Sequence, residues 1–145
     1  MRVVIQRVKS ASCLVDGQLV SKINHGYLLL VGFTHDDTLE NIKKMAKKII
    51  NLRIFEDENQ KMNLNILKVN GEILSISQFT LYANTKDGNR PSFIESMNPE
   101  DANQLYKIFN DELRTYNIDV FEGVFGASMQ IELINDGPVT INLEF

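Results

Sequence analysis

Apolar and polar positions alternate in two registers along this chain. Period-two alternation and unbroken apolar runs mark strands, and stripes at helical spacing mark two helices between them. The opening Met1-Arg2-Val3-Val4-Ile5-Gln6-Arg7-Val8 reads as strand. Cys13-Leu14-Val15 returns through Asp16-Gly17 into Gln18-Leu19-Val20. A two-residue Asp-Gly loop between apolar runs predicts a hairpin, because both turn positions need positive φ. Gly26 to Phe33 is almost continuously apolar, as expected of a central strand buried on both faces. Asp37 offers a helix cap with Glu40 three residues on. Leu39, Ile42, Met45, Ala46, Ile49 and Ile50 then follow as the apolar stripe of a helix lying on the sheet.

Arg53-Ile54-Phe55 predicts a short strand, and Glu56 to Asn65 a polar loop. After Asn70-Gly71 a strand is expected over Glu72 to Ala83. Asn84 to Pro91 is rich in polar residues, glycine and proline, which predicts a mobile surface loop. Asn98-Pro99-Glu100 marks a second helix start with proline at its first position. Ala102, Leu105, Tyr106, Phe109, Leu113 and Tyr116 form its stripe. Met129, Ile131 and Leu133 alternate with polar residues, as do Val139, Ile141, Leu143 and Phe145, which predicts two half-buried strands joined at Asp136-Gly137-Pro138. The expected fold is α/β: one domain over residues 1–145, mostly antiparallel strands with two packed helices.

Composition narrows the function classes. The chain has 145 residues, and its 43% hydrophobic and 23% charged content are ordinary for a globular domain. The N-terminus lacks the apolar stretch of a signal peptide and no run is long enough for a membrane helix, so a cytoplasmic protein without membrane contact is expected. A net charge of −4 argues against a grip on a long phosphate backbone, so any RNA contact should have a small footprint. Lys43, Lys44, Lys47 and Lys48 supply either such a patch or the solvated face of a helix.

Familiar catalytic sets are missing. His25 and His35 have no serine motif or metal-ligand partner nearby in sequence, which favours surface or capping roles over a catalytic one assembled in three dimensions. Cys13, the single cysteine, reads as a small buried hydrophobe. Gly123 and Gly126 lack the spacing of a phosphate loop, and Glu56-Asp57-Glu58 lacks the rest of a calcium loop. No cofactor or metal site is expected. Ser77-Gln78-Phe79-Thr80 remains. Read as strand, it puts Leu74, Ile76, Gln78, Thr80 and Tyr82 on one face, which runs from apolar to polar as at the mouth of a pocket. The same residues could equally satisfy backbone groups at a strand end. Gly137-Pro138 is either a tight turn or a site built from backbone.

Ser77-Gln78-Phe79-Thr80-Leu81-Tyr82, Arg90-Pro91-Ser92-Phe93, and Phe125-Gly126-Ala127 through Met129 to Asn135-Asp136-Gly137-Pro138-Val139-Thr140 closely resemble the D-aminoacyl-tRNA deacylases. The N-terminal strand and the Asp16-Gly17 hairpin are similar to the start of that family, so the resemblance spans the chain in order. Cys13 and Ser128 depart from the expected pattern, outside both core motifs.

The resemblance implies a barrel-like core and a homodimeric hydrolase without cofactor. It would cleave the ester between a D-amino acid and the 3′-terminal adenosine of tRNA, and glycine mischarged onto a non-cognate tRNA. It implies a catalytic group of Ser77, Gln78, Phe79 and Thr80. It also implies a cis Gly137-Pro138 pair that enters the partner's pocket as a chiral filter, with Arg7 holding that segment and Met129 contributing to substrate selection. An activated ester needs little more than positioning and oxyanion stabilisation, for which backbone N–H groups near Phe79 and Thr80 are suited. Lys86 and Arg90 are expected to meet acceptor-stem phosphates. The alternatives are a Thr80-nucleophile esterase and a non-catalytic module that binds RNA ends or small ligands.

Overall fold

The computed structural model describes residues 1–86 and 88–145; Asp87, within the expected Asn84–Pro91 loop, lies outside them. Three strands open the chain: β1 (Arg2–Val15), β2 (Gln18–Ile23) and β3 (Gly26–Gly32). The β1–β2 turn has Asp16 at φ +50° and Gly17 at φ +76°, both positive as the hairpin requires. Helix α1 (Leu39–Asn51) follows, then the short pair β4 (Phe55–Glu56) and β5 (Met62–Leu64), and β6 (Glu72–Ser77). Next come α2 (Pro99–Arg114), β7 (Val120–Glu122) and the 16-residue β8 (Met129–Glu144).

The main sheet runs β2-β1-β3-β6-β7, with β8 added on β1. Strands β1, β2, β3 and β8 pair antiparallel, whereas β3–β6 and β6–β7 are parallel, so the sheet is mixed and curls towards a barrel. Both helices pack through their predicted stripes: Ile42, Met45, Ala46, Ile49 and Ile50 from α1, and Tyr106, Phe109 and Leu113 from α2. Their core includes Val3, Ile5, Tyr27, Leu29 and Ile73 of the sheet. A second core, on Val8, Ala11, Cys13, Leu28, Leu74 and Ile76, is covered by Met129, Ile131 and Leu133 of β8. Burial pushes the Cys13 thiol above its ordinary value, which fits a packing role.

Several expectations are corrected. The α1 cap is Thr38, not Asp37, and its capping box closes on Asn41 rather than Glu40. Asp37 instead receives the N-terminal ammonium of Met1 and the Thr34 N–H. Leu39 is exposed, because it stands at the first position of the helix and beyond the sheet. The polar segment 56–65 contains β5, which pairs with β4. The predicted strand 72–83 ends at Ser77 and passes into a 3₁₀ turn, Phe79–Tyr82. The two C-terminal strands are not a hairpin. They form one line, β8, which runs antiparallel to β1 throughout and bulges between Asn135 (opposite Val8) and Thr140 (opposite Gln6).

Candidate active site

The 3₁₀ turn is the element that builds the site. Gln78 N–H still bonds to Val31 O of β3 at 2.7 Å, and the chain then leaves the sheet. Gly32 allows it to cross closely, since a Cβ there would lie 2.9 Å from Gln78 O and 3.2 Å from Leu81 Cβ. Arg2 holds the far end of the turn, donating to Leu81 O at 3.0 Å and lying over the Tyr82 ring at 4.4 Å. The first N–H groups of a helical turn have no partner within it. Among the described residues, the Phe79 and Thr80 N–H groups find no internal acceptor elsewhere.

Beside this turn lies a cavity of about 650 Å³. Ser77, Gln78 and Phe79 form one wall, Phe125 to Ala127 and Met129 another, and Ser96 to Pro99 at the start of α2 a third. The Ser96 hydroxyl donates to Phe79 O at 3.0 Å, and the Phe79 and Phe93 rings meet edge to face at 5.1 Å. Phe79 is 58% exposed at the mouth. Among the described residues, no acidic, basic or histidine side chain lines the cavity. Gln78 Nε2 donates to Thr80 Oγ1, and Thr80 is exposed and lies outside the cavity wall.

The strand reading missed two things. It alternated residues 78 to 82 across two faces, whereas the turn groups Ser77, Gln78 and Phe79 on one wall. It also missed Ser96, Met97 and Asn98, for which Asn98-Pro99 signalled only a helix start. Their signal is tertiary: Met97 N–H bonds to Phe33 O at 3.0 Å and Thr34 Oγ1 to Glu95 O at 2.6 Å, which seats the segment across the end of β3.

The Gly137-Pro138 peptide is cis, and both residues are exposed. In the register of β1, Gly137 stands about six residues from Ile131, roughly 20 Å along the sheet, so it does not line the cavity of its own chain. Arg7, only 4% exposed, donates to Asp136 O at 3.0 Å and to Ile54 O at 2.6 Å. Its guanidinium also faces the carboxylates of Asp136 at 3.8 Å and Glu56 at 3.9 Å. Asn135 Oδ1 accepts from Val139 N–H at 3.0 Å and closes the bulge.

Of the other candidates, Lys86 and Arg90 are exposed on a segment closed at its base by the Asn84–Ser92 bridge. His25 and His35 are exposed and bond to the loop carbonyls of Val69 and Ile94. The Asp57 carboxylate accepts from Lys61 N–H, Asn59 N–H and Asn63 Nδ2, which hold it below its ordinary value.

The family model described as D-Tyr-tRNA(Tyr) deacylase matches residues 4–144. The chain belongs to that family. It is 55% identical to a D-aminoacyl-tRNA deacylase of Exiguobacterium sibiricum over 144 residues, covering 99% of each chain. It is 56% identical to one of Lactobacillus gasseri with the same coverage. Among solved structures, the c-Myc DNA Unwinding Element Binding Protein superposes with a TM-score of 0.94 at 41% identity, covering 100% of this chain and 99% of that one. A probable eukaryotic D-amino acid tRNA deacylase superposes at 0.84 with 18% identity, over 98% of this chain and 97% of the other, and shares the fold. The deacylase family consists of hydrolases acting on ester bonds, and this chain is an enzyme of that class.

Proposed function

We propose that the protein hydrolyses D-aminoacyl-tRNA in the cytoplasm as a two-fold dimer, and glycine carried by a non-cognate tRNA, while rejecting L-aminoacyl-tRNA. The observation that carries this reading is a cavity beside a turn with unmatched N–H groups and, among the described residues, no ionisable lining. Such a site suits an ester that is already activated. Water adds to the ester carbonyl, and the Phe79 and Thr80 N–H groups receive the charge that develops on its oxygen. The bond to the ribose oxygen then breaks, that oxygen takes up a proton, and free amino acid and tRNA leave. Gln78 holds Thr80 Oγ1 rather than activating it, which opposes a Thr80 nucleophile.

Chiral selection is assigned to Gly137-Pro138 of a second copy. In one chain this pair is exposed and far from its own cavity, and it reaches a cavity only by entering a partner's. Among the described residues β8 pairs only with β1, and its other edge, unpaired, supports pairing with another chain. Rigid backbone at the substrate's α-carbon discriminates against an L side chain and admits glycine. Lys86 and Arg90 are assigned to acceptor-stem phosphates. The deciding experiment compares deacylation of D- and L-tyrosyl-tRNA. Release of D-tyrosine alone is expected; binding of both without release would instead favour a non-catalytic module.

A further inference from the structure

Successive carbonyls from Gln78 to Leu81 each accept a hydrogen bond. Gln78 O takes the Leu81 N–H at 3.3 Å, Thr80 O the Ala83 N–H at 3.0 Å, and Leu81 O the Arg2 guanidinium at 3.0 Å. Phe79 O takes the Ser96 hydroxyl at 3.0 Å. Of these four donors, Ser96 alone lines the cavity. Ser96 is itself tied down. Its N–H donates to Phe93 O at 3.0 Å, it bridges Thr34 in antiparallel fashion, and the next N–H, of Met97, bonds to Phe33 O at 3.0 Å. The hydroxyl therefore reaches the turn from a segment seated on the end of β3, across the cavity from Phe125 and Met129.

We infer that Ser96 is a positioning residue for the reaction: its hydroxyl fixes the plane of the Phe79–Thr80 peptide, and with it the aim of the Thr80 N–H. This rests on the deacylase reading above, in which that N–H receives developing negative charge. Phe79 C=O and Thr80 N–H belong to one planar trans unit and point in opposite directions. A donor that anchors the oxygen therefore anchors the hydrogen. Aim matters, because a hydrogen bond weakens steeply once its angle falls towards about 120°. The same contact draws electron density to the carbonyl and strengthens the N–H as a donor, by roughly 10–30% per linked bond. Neighbouring side chains do not replace it. The Phe79 ring is exposed, and Gln78 Nε2 is spent on Thr80 Oγ1 rather than on this peptide.

The test compares the wild type with Ser96→Ala and with Ser96→Thr, which keeps a hydroxyl. Ser96 is half-buried, so the alanine variant loses a hydrogen bond and little packing. Single-turnover rates at saturating enzyme, with Kd for D-tyrosyl-tRNA, separate the chemical step from binding. Ser96→Ala is expected to slow the chemical step about tenfold, part of the roughly 10²–10³ that loss of an oxyanion donor costs, with Kd within about twofold of wild type. Ser96→Thr should recover most of the rate. A wild-type rate in Ser96→Ala would overturn the inference. So would a loss confined to Kd, which marks an ordinary wall residue, or an equal loss of rate in both variants. The Thr80 amide ¹⁵N and ¹H resonances give a second measurement that needs no turnover. They should move in Ser96→Ala and stay near their wild-type positions in Ser96→Thr. An unmoved Thr80 amide in Ser96→Ala removes the link between hydroxyl and peptide alone. A wild type that releases no D-tyrosine removes the deacylase reading, and the role in the reaction with it, even where the amide moves.

Discussion

Arg7 Nε bonds to the main-chain oxygen of Asp136 at 3.0 Å, so a buried cation on the first strand fixes the residue just before Gly137 on the last. Its Nη1 reaches Ile54 O at 2.6 Å and ties the same point to the segment after α1. Lysine cannot reproduce this fork. Arg7→Lys is expected to lower stability by about 2–3 kcal/mol, the scale of lost hydrogen bonds to a charged group. D-tyrosyl-tRNA hydrolysis should fall about tenfold or more as the Gly137 segment loses its position. Thermal unfolding and deacylation of one preparation check this, and a variant with wild-type values for both would remove Arg7 from the assigned role.

Local patterns were legible in the main. The Asp16-Gly17 turn, the central positions of both helix stripes and the Asn98-Pro99 start depend on residues a few positions apart and form as expected, whereas the α1 cap, the end position Leu39 and Tyr116, beyond the end of α2, do not. The bulge of β8 was not legible, because Gly137-Pro138 between two alternating runs fits a hairpin equally well. Only pairing of both runs with β1 separates the alternatives. The turn at Phe79–Tyr82 has no glycine or proline to announce it, and Thr80, Leu81 and Tyr82 suit a strand by composition. It forms because Gly32 and Arg2 receive it from distant parts of the chain. The motif was readable as one that lines a pocket, as Ser77, Gln78 and Phe79 do; its geometry was not.

Thr80 Oγ1 accepts a hydrogen bond from Gln78 Nε2, and no side chain positioned as a base approaches it among the described residues. Thr80→Ala should therefore keep deacylation within about tenfold of wild type, below the loss expected when a nucleophile is removed. Gln78 lines the cavity, and Gln78→Ala should cost more. Single-turnover rates with D-tyrosyl-tRNA give the order. Abolished turnover in folded, tRNA-binding Thr80→Ala would restore the nucleophile.

Lys86 and Arg90 are exposed cations near the turn in sequence. If both meet phosphates, replacing both with alanine should reduce the slope of log binding against log salt by about 1.4–1.8, two contacts' worth of released counterions. Filter binding over a salt series measures it. An unchanged slope assigns both to the ordinary surface.

Burial raises the Tyr106 phenol to about 12, and its hydroxyl donates to Ser75 O at 2.7 Å, a bond that only the protonated form makes. The folded state thus holds a proton that the unfolded chain releases near pH 10. This contribution is complete below about pH 10 and is lost as pH rises through about 12, worth about 2–3 kcal/mol. Urea unfolding from pH 8 to 12 should show stability declining with pH, and the decline should be shallower in Tyr106→Phe. At pH 8 that variant should lose about 1 kcal/mol for the missing hydrogen bond. Parallel curves for the two proteins would contradict the assignment.

Cross-subunit selection has a stricter consequence. A Cβ at Gly137 would meet Val139 Cγ2 at 2.8 Å, Val139 N at 3.1 Å and Arg7 Nη2 at 3.2 Å, at a φ of +132° that side chains rarely adopt. Gly137→Ala should therefore disturb the filter of whichever cavity it enters, and Gln78→Ala the cavity of its own chain. Each variant alone should be impaired. Co-expressed, they form hybrids in which one cavity has an intact Gln78 and receives an intact Gly137. Hybrids make up about half of a statistical mixture and carry one intact site of two, so about a quarter of wild-type activity should return. If each chain instead supplied its own Gly137 to its own Gln78, no intact site would exist in any hybrid. Activity no higher than the mean of the separate variants, with hybrids confirmed by native mass spectrometry, would then rule out the shared site.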